Sequence, residues 1–223
     1  ETECIHSYSL IHDDLPCMDN DAIRRGKPSA HIKFGEATAV LAGSSLLTLA
    51  FEIITDQSCK LNSKIKNEIV KSLANCSGHT GIAGGQELDL KFENKNKNLN
   101  QIIDMQRKKT GKLFNFCLYA VALVANKNNL EKKSLGNLGE EIGLLFQLSD
   151  DFLDIHGSKK LIGKSIQKDK KKGKSTLLSL MGEKKAYLYA LNLKKKILLK
   201  LEKHGKKGKN LTSTINFILK RNF

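Results

Sequence analysis

Two aspartate clusters stand far apart in this chain: Asp13-Asp14-Leu15-Pro16-Cys17-Met18-Asp19 near its start, and Asp150-Asp151-Phe152-Leu153-Asp154 well past its middle. Carboxylates this crowded repel one another unless cations hold them together. Neither cluster belongs to a histidine–cysteine set, and oxygen-only donors favour a hard ion such as magnesium. Magnesium keeps several waters and takes further ligands from phosphates, so two facing clusters suggest a cage for a diphosphate.

In the second cluster Gln147, Asp150, Asp151 and Asp154 fall at i, i+3, i+4 and i+7, which puts them on one helical face. Gly143, one turn earlier, leaves room on that face, and the i+4 lysines that usually neutralise an acidic surface stripe are missing. The first cluster ends a helix instead: Pro16 breaks it, and the excursion that follows lets Asp19 swing back toward the ion of Asp13 and Asp14. Arg24 and Arg25 come soon after, and paired guanidiniums suit diphosphate oxygens bidentately; they can equally pair with the aspartates themselves. Lys108-Lys109-Thr110-Gly111, Gly163-Lys164 and Gly173-Lys174-Ser175 add cations. The last resembles the tail of a phosphate loop, but position 168 is Lys where that loop needs Gly, and no strand precedes it. A nucleoside triphosphatase is excluded.

The elements that must position these residues read as helices. Residues 1–12 deliver Asp13 at a helix end, and Arg24 to Pro28 is a loop. Gly35 to Asp56 is a long apolar helix, tempting as a membrane span, but Ser44, Ser45, Thr48 and Glu52 interrupt it and a buried core helix is expected. Further helices are expected at 61–90, 101–125 and 130–156, with glycines at 78, 81, 84 and 85 admitting a close neighbour. A lysine- and glycine-rich loop over 157–175 would act as a basic flap, and amphipathic helices complete the chain. With two prolines, no tryptophan and no strand-period run, the expectation is all-α, one domain over 1–223.

The net charge of +15 is uneven. From residue 157 onward 20 Lys and Arg face Asp169, Glu183 and Glu202, leaving the first 156 residues slightly acidic. Such a tail suits an anionic partner or is simply a solvated lysine face. Its aromatic residues do not form a stacking platform, so no nucleic-acid partner is expected. Five cysteines at irregular spacing fit a reducing cytoplasmic compartment better than a disulfide framework. Glu1-Thr2-Glu3-Cys4 reads as a helix entered midway, so a fragment lacking earlier helices is expected.

Taken together, SLIHDDLPCMDNDAIRRGKPSAHIKFGEA, GGQELDL, KKTGKLF, FQLSDDFLD, GKSIQKDKKKGKST and the closing Lys220-Arg221-Asn222 resemble the trans-prenyl diphosphate synthases, most closely the bacterial farnesyl diphosphate synthases, over essentially the whole chain. That resemblance implies an all-α, isoprenoid-synthase-type helical bundle around a central cavity. It implies magnesium held by Asp13, Asp14, Asp19, Asp150, Asp151 and Asp154. Arg24, Lys109, Thr110, Gln147, Lys164 and Lys174 match contacts to the allylic diphosphate, and Arg25 matches the arginine that holds isopentenyl diphosphate. Lys109, Thr110 and Gln147 would stabilise the allylic cation. Tyr8 and Ser9, one turn deeper than Asp13, match the product-length positions, and a bulky Tyr8 implies a C15 product; a geranyl or geranylgeranyl synthase is the alternative. The partners implied are isoprenoid diphosphates and a second copy of the chain in a homodimer, with no integral membrane segment. Asn20 and Ala22 interrupt the acidic run common after the first motif, Ser44 replaces a frequent Asp, and the Gly-Gly-Lys-Arg-x-Arg segment of the isopentenyl site is absent. A class I terpene cyclase, with similar magnesium chemistry, usually lacks the second DDxxD, RRG and the Lys-Thr pair.

Overall fold

Only two prolines interrupt this chain, and helix fills most of the described residues. The computed structural model describes residues 1–156 and 175–220; Lys164, Lys174, most of the expected basic flap and Arg221-Asn222 lie outside the described residues. Helix α1 (Thr2–Asp13) leads through a loop and a two-residue antiparallel hairpin, β1 (Ile23–Arg24) with β2 (Lys27–Pro28), into α2 (Ala30–Phe34) and α3 (Glu36–Thr55). Then come α4 (Ser63–Ser77), α5 (Ile82–Phe92), α6 (Leu99–Gln106), a π-helical turn (Arg107–Gly111), α7 (Lys112–Val124) and α8 (Asn129–His156). Helices α9 (Leu177–Met181) and α10 (Glu183–Glu202), a 3₁₀ turn (Gly205–Gly208) and α11 (Lys209–Ile218) complete the described part. The all-α expectation holds.

Local chemistry sets several helix starts. The Asn62 side chain caps α4 by accepting from Ile65 N at 2.9 Å, and Asn98 with Gln101 forms a reciprocal capping box on α6, at 3.0 and 3.1 Å. Asn128 Oδ1 accepts from Glu131 N at 2.9 Å at the start of α8. At 28 residues α8 runs about 42 Å and forms the spine of the bundle. It lies very close to α7: a Cβ on Gly139 would fall 2.3 Å from the Phe114 carbonyl oxygen. Two apolar clusters result. One joins α8 to α6 and α9–α11 through Ile102, Leu145, Leu148, Phe152, Leu177, Ile197 and Ile215. The other joins α1, α3, α4 and α7 through Ile5, Tyr8, Ala50, Leu73 and Phe116.

Three expectations need correction. The helix over 61–90 is two, because Gly78 ends α4 and α5 begins only after Gly81. The helix over 101–125 is broken by the π turn. And α3 is not buried: only 22% of its apolar window is covered within the protein, and Val40, Leu41, Leu49 and Ile53 are exposed. By length and composition α3 would also pass for a membrane span.

Candidate active site

The first cluster is built by a chain reversal. Helix α1 ends at Asp13, and the loop beyond folds back so that Asp19 N donates to the Asp13 carbonyl at 2.8 Å and Asp21 N to the Asp14 carbonyl at 3.0 Å. The hairpin then brings in Arg24. Arg25 and Gly26 both have positive φ, 52° and 75°, as a tight two-residue hairpin loop requires. Arg24 closes on Asp14, its Nε lying 3.1 and 3.2 Å from the two carboxylate oxygens and its Nη2 against Oδ1. It also reaches Asp21 at 3.7 Å. Burial works against the guanidinium charge, but the hydrogen bond and charge of Asp14, with Asp13 and Asp19 beyond, outweigh it and raise the Arg24 pKa. Asp14 is therefore buried behind the cluster, while Asp13, Asp19 and Asp21 line the cavity.

Across from α1, the π turn presents Lys109 and Thr110. Such turns are rare and mark places where a helix departs from its ladder to aim particular groups. This one is held between two glycines: a Cβ on Gly85 of α5 would meet Lys109 N at 2.2 Å, and one on Gly143 of α8 would meet Gly111 Cα at 2.7 Å. Lys109 Nζ donates to Asp89 Oδ2 at 2.8 Å and lies 3.6 Å from Asp13 Oδ1. Thr110 Oγ1 donates to Gln147 Oε1 at 3.1 Å, and Gln147 Nε2 donates to Asp151 Oδ1 at 3.0 Å. Gln106 Nε2 reaches the other Asp151 oxygen at 3.5 Å. Asp151 is thus a buried hub that orients Gln147, and through it Thr110.

These groups line one cavity of about 910 Å³. Asp13, Asp19, Arg24, Arg25, Lys109, Thr110, Gln147, Asp150, Asp151 and Asp154 all border it, as do Tyr8 and Ser9 on the previous turn of α1. Its apolar lining comes from Ile82, Met105, Leu113, Phe114 and Phe146. Tyr8 is buried and pinned: its hydroxyl donates to the Ser77 carbonyl at 3.3 Å and its ring meets His12 edge-on, with centroids 5.7 Å apart. Burial, then the neighbouring Cys76 thiol, raises its pKa, so the hydroxyl stays protonated.

Sequence reasoning left out Gln86, Asp89 and Gln106, all cavity-lining. The buried Gln86 Nε2 and Gln106 Oε1 have no hydrogen-bond partner among the described residues. The signal for Gln86 and Asp89 was present in GGQELDL, where they stand at i, i+3 just after the glycines that let α5 approach the π turn; nothing comparable marked Gln106.

A magnesium ion suits this donor set. Asp13 Oδ1 is buried without a hydrogen bond, and its ion-pair partner Lys109 Nζ stands back at 3.6 Å, which leaves the oxygen open to a metal ion. Among the described residues no three His, Cys, Asp or Glu side chains are already gathered around one point. Asp14 is engaged by Arg24 and Asp151 by two glutamines, so an ion here needs waters and ligand oxygens to complete its shell, as magnesium ordinarily does.

Fold and site together define a helical bundle whose cavity joins an apolar chamber to two aspartate clusters, a form suited to a molecule with an anionic head and an apolar tail. The chain belongs to the polyprenyl synthetase family, whose model matches residues 1–215. It is 45% identical over 186 residues to the farnesyl diphosphate synthase of Bacillus subtilis, covering 82% of this chain but 63% of that protein, so it spans less than two thirds of that relative's length. Among solved structures it is similar to an FPP/GFPP synthase from Zymomonas mobilis (39% identity, TM-score 0.87, 97% of this chain and 73% of that one). It is also similar to a geranyltransferase from Helicobacter pylori complexed with magnesium and isoprenyl diphosphate (37% identity, TM-score 0.86, 98% and 71%).

Proposed function

We propose that this protein is a prenyltransferase that condenses an allylic diphosphate, dimethylallyl or geranyl, with isopentenyl diphosphate to give farnesyl diphosphate. The observation that carries the reading is the π turn: it aims Lys109 and Thr110 into a cavity bordered by both aspartate clusters and floored by apolar side chains. Family membership and the magnesium–isoprenyl diphosphate complex of the Helicobacter pylori relative support it.

Asp13 and Asp19 on one wall and Asp150 and Asp154 on the other would hold magnesium, with Asp14 and Asp151 fixing the residues beside them. Bound there, magnesium supplies Lewis-acid stabilisation of a departing diphosphate. Lys109, kept extended by Asp89, donates to diphosphate oxygens as charge builds on them. The Thr110 proton is spent on Gln147, so the hydroxyl lone pairs are left to face positive charge on the allylic carbon. The apolar lining keeps water from that carbon as its C–O bond to diphosphate breaks; the isopentenyl double bond then attacks it, and the tertiary cation so formed loses a proton to the released diphosphate. Arg24 and Arg25 bind the anionic heads, Arg24 from its place on Asp14 and Arg25 for isopentenyl diphosphate; Lys164 and Lys174 would add to the allylic side. The cysteines are all free, which suits a cytoplasmic setting.

Incubation with isopentenyl and geranyl diphosphates should give a magnesium-dependent C15 diphosphate by product chromatography; no product with or without the ion would remove the reading. In the same assay Tyr8→Ala should lengthen the products beyond C15, because the pinned ring and the neighbouring Ser9 lie along the cavity where a growing chain would extend. A profile still ending at C15 would strip Tyr8 of that role. The 37% identity to a geranylgeranyl diphosphate synthase of Cyanophora paradoxa supports a C20 product as the second reading.

A homodimer is part of the proposal. The exposed, lysine-free face of α3 carrying Val40, Leu41, Leu49 and Ile53 suits a second copy of the same chain. Sedimentation equilibrium should return twice the chain mass, and a monomer at all concentrations would refute it.

A further inference from the structure

The chemistry above leaves unused the most strongly charged part of the described chain. Residues 175–220 hold eleven lysines against Glu183 and Glu202. Lys196 and Lys200 close on Glu141 of α8 at 3.0 and 2.7 Å, and together they outweigh burial and keep its pKa low. Lys184, Lys195, Lys203, Lys206 and Lys207 are exposed and make no ion pair among the described residues.

Helix α10 sorts its residues into two stripes. Ala186, Ala190, Leu193, Ile197 and Leu201 form the inner one, buried against the core. Lys184, Leu188, Leu191, Lys195 and Leu199 repeat the same helical spacing on the opposite side. There Leu188, Leu191 and Leu199 are 52%, 39% and 55% exposed. Three leucines facing water along one helix are unfavourable alone, and Lys184 before them and Lys195 among them add positive charge to the same stripe. One surface suits both features: anionic headgroups above an apolar boundary, where leucines sink and lysine stems extend to the phosphates. Nucleic acid would use the lysines but not the leucines, and the nearest aromatic ring, Tyr187, is occupied edge-on by Phe152. The contrast with α3 is in charge, since that helix carries apolar side chains without a single lysine or arginine.

We propose that the outer face of α10, together with the Lys206–Lys207 turn that follows it, is a docking surface for anionic lipid membranes. The chain lies on such a membrane without crossing it. This inference goes beyond the prenyl-transfer reading and stands on the surface alone.

Co-sedimentation of the full chain with phosphatidylcholine vesicles, with and without a third of phosphatidylglycerol, tests it. Binding should appear only with the anionic lipid and weaken as salt rises. Each basic side chain near such a surface is worth roughly fivefold in partitioning. Lys184→Gln with Lys195→Gln should therefore reduce binding at least tenfold, and Leu188→Gln with Leu199→Gln should remove the part that survives high salt. Helicity by circular dichroism checks that these surface variants fold. The chain has no tryptophan, so Leu191→Trp adds a single reporter whose emission should shift to the blue on anionic vesicles. No dependence on phosphatidylglycerol, no shift from Leu191→Trp, or leucine-independent binding that single-stranded RNA displaces would each overturn the proposal.

Discussion

Asp13→Ala should lower magnesium-dependent affinity for geranyl diphosphate by more than about a hundredfold and leave the thermal midpoint unchanged or slightly raised. The carboxylate sits at the C-terminal end of α1, where the negative end of the helix dipole disfavours an acid, and its Oδ1 is buried without a hydrogen bond. Removing it relieves both costs and gives up the long 3.6 Å ion pair with Lys109, so most of its benefit comes from a ligand. Its neighbour behaves oppositely. Asp14 is 2% exposed and holds Arg24 through both carboxylate oxygens. Asp14→Ala leaves a largely buried guanidinium short of its main partner, which costs about 3 kcal/mol and lowers the midpoint by several degrees. Isothermal calorimetry and thermal melts of the two variants separate the cases. Equal affinity for Asp13→Ala and the parent would end the magnesium-cage proposal.

That division between adjacent aspartates could not be read from the chain, and the reason is physical. The face shared by Gln147, Asp150, Asp151 and Asp154 is legible because helix geometry is local: spacing alone places those side chains, and α8 does span 129–156. The return of Asp19 to Asp13 was legible for the same reason, since a proline-broken excursion of six residues has few ways to go. The pairing of Arg24 with Asp14 depends on a hairpin whose loop forces Arg25 to positive φ, and nothing in Arg24-Arg25-Gly26 chooses between a guanidinium held by an aspartate and one reaching for a ligand. The partners of Asp89 and Gln106 could not be read from the chain because only tertiary packing brings them to Lys109 and Asp151. The exposure of α3 was misread because apolar content reports what a helix could bury, and its partner need not lie in the same chain. Gly78 and Gly81, read as permitting close approach, instead end one helix and start the next, while Gly85 and Gly143 do mark close approach.

Gly85→Ala should therefore reduce turnover about a hundredfold while substrate binding at the aspartate clusters changes far less. An alanine Cβ there would lie 2.2 Å from Lys109 N and 2.5 Å from Lys109 Cα, and these are backbone atoms that cannot rotate aside. The π turn cannot retreat either, because Gly111 is packed against Gly143 on its far side. The turn must slide along its own axis or lift from α5. Either movement pulls Lys109 away from Asp89 and breaks the Thr110–Gln147 hydrogen bond, removing the two groups aimed at developing charge. Overpacking of this kind also costs about 1–3 kcal/mol of stability, so a control with a similar loss is needed. Leu73→Ala serves, since Leu73 is fully buried in the other apolar cluster and does not border the cavity. The control should lose stability and keep turnover at temperatures where it stays folded. Gly85→Ala should lose turnover at those temperatures, with the affinity for geranyl diphosphate largely kept, since Asp13, Asp19, Asp150 and Asp154 do not sit on the displaced turn. A Gly85→Ala enzyme with the parent's turnover number would show that the clamped geometry of the turn is not what positions the reacting groups.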